Sequence, residues 1–317
     1  MKYDKPPLSV SDQARQLIAR GLVCDNLDRL HHYLNHIGYY RLSAYCIPFE
    51  MQPADNPTAR SHQFMPGTTL QQVLSLYVFD RKLRLLVMEA IERIEVAVRG
   101  RWANALAEHH GSHAHMHPEH FRCPWQHTKD LSSMASALKD NGELFVVHYK
   151  KRYTTPFLPP VWVVVETLSL GALSRWFSNT ADTKAKAAVA KGLGIPTVEI
   201  LEGVLHVLTP VRNICAHHGR LWNRQFPMRI PYIKRLRDHI MVEDVPQDDG
   251  RVQTQPIPLL YNYLVVMAHI MRQINPGSSW RKRLTDHIAS ASPDQQTAMG
   301  FPAGWQTRSL WQHEATP

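Results

Sequence analysis

Between Pro210 and Asn223 the chain carries Arg212-Asn213-Ile214-Cys215-Ala216-His217-His218-Gly219-Arg220. Successive residues of an α-helix turn by about 100°, so Asn213 and His217, four apart, fall about 40° from each other on one face. Arg220 joins that face if the helix survives Gly219. Arg212 lies to the side, with a stem long enough to swing its guanidinium onto the same spot. Such a set suits metal-free cleavage of RNA, whose 2′-hydroxyl is an internal nucleophile beside the scissile phosphate. An imidazole titrating near neutrality can take that proton or protonate the leaving 5′-oxygen. The planar guanidinium of Arg212 can absorb the added charge on phosphorus, and Asn213 can orient His217. The expected products are a 2′,3′-cyclic phosphate and a 5′-hydroxyl.

One helix supplies one such histidine, whereas acid–base catalysis on both sides of a phosphate calls for two. A two-fold dimer that sets two copies of the helix face to face supplies the second. His218 is the alternative within one chain. The ordinary reading of these residues is caps and surface salt bridges at a helix end, and Arg-x-x-x-x-His alone occurs in many basic proteins. Its embedding among Asn213, His218, Arg220, Leu221, Trp222 and Asn223 makes the pattern more specific.

Other clusters carry weaker chemistry. His109, His110, His113, His115, His117 and His120 crowd into a short segment, a composition able to bind zinc or nickel. No Cys or acidic partner is placed to finish a site, and Pro118 spoils helical ligand spacing, so an exposed loop without metal is expected. No cofactor is expected either. Tyr39, Tyr40, Arg41 and Tyr45 combine aromatic faces with charge, as base-stacking surfaces do. A small satellite core explains them better, with Arg41 kept as an RNA contact. Lys150, Lys151 and Arg152 are candidate phosphate contacts, although such runs are usually solvated helix ends. Glu166 lies inside an apolar stretch and as a buried carboxylate needs a partner, Arg99 or Arg212, which it would position.

The elements that must hold these residues read as helices. Residues 10–46 give two short helices, with Ser11 capping the first and Gly21 ending it, and 38–43 form an aromatic, basic turn. Pro53, Pro57, Pro66 and Gly67 mark 51–68 as a loop. From Thr69 to about Glu108, Leu76, Phe79, Leu83, Leu86, Ala90, Ile94, Ala97 and Trp102 form one apolar stripe, with Arg81, Arg84, Glu92, Glu95 and Arg99 mostly off it. The histidine-rich loop spans 109–128, and 130–152 form a helix ending in the basic run. The valines of 161–165 favour a strand, but Leu168, Leu173, Trp176 and Phe177 continue at helical spacing, so a buried helix is expected. A helix follows Pro196-Thr197, with Thr209 capping a fresh helix at Pro210 that carries the key segment. A helical pair over 256–289 is split by Asn275-Pro276-Gly277.

Composition agrees with a globular protein that binds a polyanion. The 317 residues are 44% hydrophobic and 20% charged, with a formal charge of +9 and 19 histidines, and the pI is near 9.4. Cys24, Cys46, Cys123 and Cys215 form no C-x-x-C pair. The opening residues hold no apolar signal core, and the longest apolar run, 159–173, is interrupted by Glu166 and too short to span a bilayer. A cytoplasmic protein without membrane attachment is expected. Gly192-Leu193-Gly194 lacks the rest of a phosphate loop, which disfavours a phosphoryl- or nucleotidyl-transfer enzyme.

These motifs together resemble the abortive-infection (Abi) proteins of the AbiD/AbiF-like type, whose Arg-Asn-x-x-x-His segment places them among HEPN domains. The resemblance covers nearly the whole chain. Tyr3-Asp4-Lys5-Pro6-Pro7-Leu8 resembles the family opening, and Ile37-Gly38-Tyr39-Tyr40-Arg41-Leu42-Ser43-Ala44-Tyr45 the next signature. Tyr77-Val78-Phe79-Asp80-Arg81-Lys82-Leu83-Arg84 and Ile91-Glu92-Arg93-Ile94-Glu95-Val96-Ala97-Val98-Arg99 resemble the long helix. Met299-Gly300-Phe301-Pro302 with Trp305 resembles the ending. The resemblance implies an all-α, HEPN-like helical bundle, read as an N-terminal helical segment over 1–68, a core over 69–225 and a C-terminal helical extension over 226–317 that together form one compact unit. It implies an RNA-damaging, toxin-like role in anti-phage defence, with Arg212, Asn213 and His217 as catalytic residues; the spacing adds His218 and Arg220 in support. RNA, a second copy of the chain, and an antitoxin or regulatory RNA are the implied partners. Glu95 and Arg99 sit where family members also place polar residues, although an i,i+4 ion pair worth only about 0.3–0.5 kcal/mol accounts for them as well. A non-catalytic RNA-binding or sensor protein is the alternative, because some HEPN proteins bind RNA without cutting it.

Overall fold

The computed structural model describes all residues except 1, 3, 5, 54–59, 249 and 313–317. Tyr3 and Lys5 of the opening signature, and Pro57 of the 51–68 loop, therefore lie outside the described residues. Among the described residues the fold is all-α, with thirteen α-helices and one two-stranded hairpin. The chain divides into two compact units, Met1–Lys82 and Leu83–Pro317.

In the first unit, α1 (Val10–Ala19) starts at Ser9, whose hydroxyl accepts from the Asp12 amide, and not at Ser11. Gly21 follows with φ +97°, which glycine adopts without strain. Asn26 caps α2 (Leu27–Ile37). The aromatic segment expected to be a turn is instead helix α3 (Tyr39–Cys46), entered through Gly38 at φ +84°. Leu30, Leu34, Leu42 and Tyr45 are buried, which is why propensity for a turn loses to packing. The Tyr45 hydroxyl donates to Asp80 at 2.6 Å, tying two of the sequence signatures together.

Helix α4 (Leu70–His110) begins at a reciprocal cap, in which the Gln72 amide donates to the Thr69 hydroxyl and the Thr69 amide to the Gln72 side chain. Its apolar stripe is buried as expected through Leu83, Ala90, Ile94 and Trp102. Arg84 and Glu95, read as lying off that stripe, are buried too.

The second unit continues with α5 (Pro124–Lys139), α6 (Leu144–Arg152) and α7 (Val161–Val164). Next come α8 (Leu170–Asn179), α9 (Thr183–Gly192) and α10 (Val198–Ala216). The helix expected over 130–152 is two, because Asn141-Gly142 turns the chain and the Asn141 side chain accepts from the Glu143 amide. The valine-rich run is helical and not a strand, but it does not run on as one helix to Phe177: α7 is a single turn that passes into a 3-10 turn, Val165–Thr167, and the backbone is extended at Leu168 before α8 begins, with Val161, Val164 and Val165 buried. Helices α8 and α9 pack on α10, and α5 packs on α8. Trp102 of α4 donates to the Thr180 hydroxyl at the end of α8 at 3.0 Å.

Strands β1 (Val242–Pro246) and β2 (Val252–Pro256) form an antiparallel hairpin that the sequence pattern did not announce, since both are largely exposed and lack apolar alternation. Then come α11 (Leu260–Ile274), buried nearly all round, α12 (Trp280–Ala289) and α13 (Pro293–Ala298). The closing motif is a packing device: Phe301, Trp305 and Trp311 gather around Tyr261 of α11. Gly300 sits at φ +86°, where a Cβ would lie 2.8 Å from Leu259 Cβ. No helix is long and apolar enough to cross a membrane among the described residues.

Candidate functional site

Helix α10 starts at Thr197, whose hydroxyl accepts from the Ile200 amide. Leu201, Val204, Leu205, Leu208, Val211 and Cys215 form its buried face. No fresh helix begins at Thr209: Pro210 lies inside α10. Proline offers no N–H to the His206 carbonyl one turn back, and the neighbouring Thr209 turns its hydroxyl to the Leu205 carbonyl at 2.9 Å. The helix continues through this point because α8 clasps it. Gly171 lets α8 come so close that a Cβ there would stand 3.1 Å from the Thr209 methyl.

Helix α10 ends abruptly. The Gly219 amide donates to the Ile214 carbonyl at 2.8 Å and the His218 amide to the Cys215 carbonyl at 3.1 Å, the paired bonds of a Schellman stop. His218 takes the left-handed position at φ +57° that glycine usually fills. The chain therefore leaves the helix at His217, and Arg220 does not extend the Asn213–His217 face as the spacing allowed. Arg220 is half-buried, and its carbonyl accepts from the Arg224 guanidinium at 3.0 Å.

Asn213 and His217 remain one turn apart and exposed, the second as the helix cap. Arg212 is half-buried, and its Nε is enclosed without a hydrogen-bond partner among the described residues. Its charge acts on Glu95 of α4. Burial raises the Glu95 carboxyl above its ordinary value, and the nearby Arg99 and Arg212 only partly offset that. Arg99, one turn on, pairs with Glu95, donates to the Leu168 carbonyl at 2.5 Å, and reaches Glu166 at 3.6 Å. Glu95 and Arg99 are thus more than a solvated ion pair. Glu166 is half-exposed, correcting the expectation of a buried carboxylate, and its arginine partner is Arg99. The middle of α4 meets the 165–168 turn here, within reach of the charge of Arg212 near the end of α10.

The basic run divides. Lys150 turns its ammonium onto the carbonyls of Leu138 and Lys139, closing the end of α5, so it serves structure where a phosphate contact was expected. Lys151 and Arg152 are exposed, with no ion pair among the described residues. Beside them opens a groove of about 640 Å³ whose lining includes Phe145, His148, Tyr149, Tyr153 and Trp162. Trp162 and Glu166 are four residues apart, about 6 Å of helical rise, so the segment that walls this groove also delivers Glu166 to Arg99. Arg41 lies half-buried on α3 of the first unit.

The histidine-rich segment is not a uniformly exposed loop. His115 and His127 are fully buried, and His109 and His110 both meet Asp182, an acidic partner some seventy residues downstream. Reading only within the segment missed it. Sequence reasoning also missed Lys186, fully buried in α9 and paired with Glu202 of α10.

A family model described as Abi-like protein matches residues 32–223, from within α2 to just beyond the turn that ends α10. Neither the curated proteins nor the solved structures give a match.

Proposed function

This chain belongs to the Abi-like protein family, and from that premise we propose that it is a metal-independent endoribonuclease of the HEPN type. It acts in the cytoplasm as a homodimer in bacterial abortive infection, restrained by an antitoxin or regulatory RNA. The observation that carries this reading is the split at the end of α10. Asn213 and His217 face solvent one turn apart, while Arg212 stands within the field of a buried carboxylate, Glu95.

In the proposed reaction the 2′-hydroxyl of one nucleotide attacks the adjacent phosphorus, and the bond to the 5′-oxygen breaks. One His217 takes the 2′-proton, and His217 of the partner subunit gives a proton to the leaving oxygen. Arg212 stabilises the charge gathered on the phosphoryl oxygens. Glu95 and Glu166 are positioning residues that hold Arg99 in place. The aromatic groove along α6 and α7, with Lys151 and Arg152 at its side, suits stacked bases and a phosphate backbone.

Cleavage of mixed RNA in excess EDTA, comparing wild type with His217→Ala and mapping the new ends, tests the proposal. Metal-free cutting that needs His217 and leaves cyclic phosphates is the expected result. RNA that is bound but left intact under all conditions would make this a binding or sensor protein using the same surface.

A further inference from the structure

The strongest cluster outside the α10 site lies where α4 ends. His109 Nδ1 and His110 Nε2 approach the same carboxylate oxygen, Asp182 Oδ2, at 2.6 and 2.8 Å. The three ligand-type atoms lie within 4.8 Å of one another. The other Asp182 oxygen accepts the Ala185 amide at 2.9 Å as the cap of α9, which fixes the carboxylate with Oδ2 turned to the imidazoles. The backbone is pinned as well. The Ala181 amide donates to the His120 carbonyl and the Arg122 amide to the Asn179 carbonyl, and this brings the His120 ring onto His110, with centres 4.1 Å apart.

We propose that His109, His110 and Asp182 form a binding site for one borderline divalent cation of the zinc class, clipping the end of α4 to the start of α9. Two imidazole nitrogens and one carboxylate oxygen, with no thiolate, are donors that Zn²⁺ accepts. A tetrahedral zinc holds its ligands at about 2.0–2.2 Å, which places ligand atoms about 3.3 Å apart. The two imidazole–carboxylate spacings need to open by about 0.5–0.7 Å to admit it. The fourth position falls to water. Asp182 is already oriented through its capping bond, the kind of outer support that metal ligands use. The site is separate from the one on α10: His109 is ten residues beyond Arg99, about 15 Å along the helix.

The test uses the tag-free full chain, stripped with chelator and dialysed, titrated with ZnCl₂ by calorimetry and followed by thermal unfolding. Wild type is expected to bind one zinc per chain and to gain about 5 °C in Tm at saturating metal. His110→Ala and Asp182→Asn should each weaken binding by about tenfold or more and remove the Tm gain. Asparagine caps a helix as well as aspartate does, so Asp182→Asn keeps α9 capped while removing the charged ligand. Absence of stoichiometric zinc, or binding equally tight in both variants, overturns the site. Neither result bears on RNA cleavage, which is read separately in EDTA.

Discussion

Arg99 of α4 and Glu166 of the 3-10 turn after α7 stand 3.6 Å apart, although 67 positions separate them in the chain. With Glu166 half-exposed, this pair adds little stability, about 0–1 kcal/mol. Its value lies in holding the turn against the arginine that also binds Glu95. Glu166→Gln should therefore leave the chemical-denaturation midpoint nearly unchanged while slowing RNA cleavage by about tenfold through misplacement of the positive charge. Equal rates for the variant and wild type would remove Glu166 from the site.

Glu95→Gln is expected to act on both properties. Its carboxylate is the buried countercharge to Arg99 and feels Arg212 as well. Removing it leaves a guanidinium poorly paired in a confined place, at about 1–3 kcal/mol. Urea unfolding of the variant measures the loss, and cleavage should fall further than in Glu166→Gln.

The helical architecture was legible because burial repeats at the helical period in α4 and α10. The motif on α10 was legible for the same reason, since Asn213 and His217 need only local helix geometry. What escaped the sequence depended on distant partners or on local backbone. Arg220 left the motif face because two backbone bonds to the Ile214 and Cys215 carbonyls stop the helix at Ala216, a stop with a histidine where glycine is the usual signal. Lys150 looked free until α5 ended beneath it. Asp182 and Lys186 gave no sign, because the residues that explain them, His109, His110 and Glu202, lie on other helices.

Lys186 offers a sharper stability test. Its ammonium is enclosed, paired with Glu202, bonded to the Ser178 and Thr180 carbonyls at 3.1 and 3.2 Å, and set 5.4 Å from the Phe177 ring centre. Lys186→Met removes the cation and leaves the Glu202 carboxylate without its main partner, which should cost about 3–5 kcal/mol. The double variant Lys186→Met with Glu202→Leu should recover much of that loss. Additive losses in denaturant melts would mean that the two side chains do not act as a pair.

Acid sensitivity should trace in part to His115. Burial, helped by the neighbouring His113, His127 and His117, pushes its imidazole down to about 3 in the folded chain. The unfolded chain keeps the ordinary value of 6.5. Between those pH values the unfolded chain binds the extra proton, so stability falls as pH falls through the window. His115 contributes a slope of up to about 1.4 kcal/mol per pH unit there. His115→Leu should flatten the stability–pH curve below pH 6.5 by about one proton and leave it unchanged above pH 7.5. An unaltered slope would show that the imidazole is already neutral at low pH in the unfolded chain or reaches water in the folded one.

His218 tests where the second histidine of the proposed reaction comes from. It holds φ +57° at the helix stop, a conformation that costs a non-glycine residue about 1 kcal/mol and costs glycine little. His218→Gly should therefore raise stability while His218→Ala, which keeps the strain, should not. If the partner subunit supplies the second imidazole, His218→Gly retains cleavage within about threefold, less than 1 kcal/mol in barrier, whereas His217→Ala abolishes it. Dimers mixed from His217→Ala and wild-type chains should then be inactive, since each composite site needs both copies. Loss of cleavage in His218→Gly equal to that in His217→Ala would place both imidazoles on one chain and dispense with the dimer.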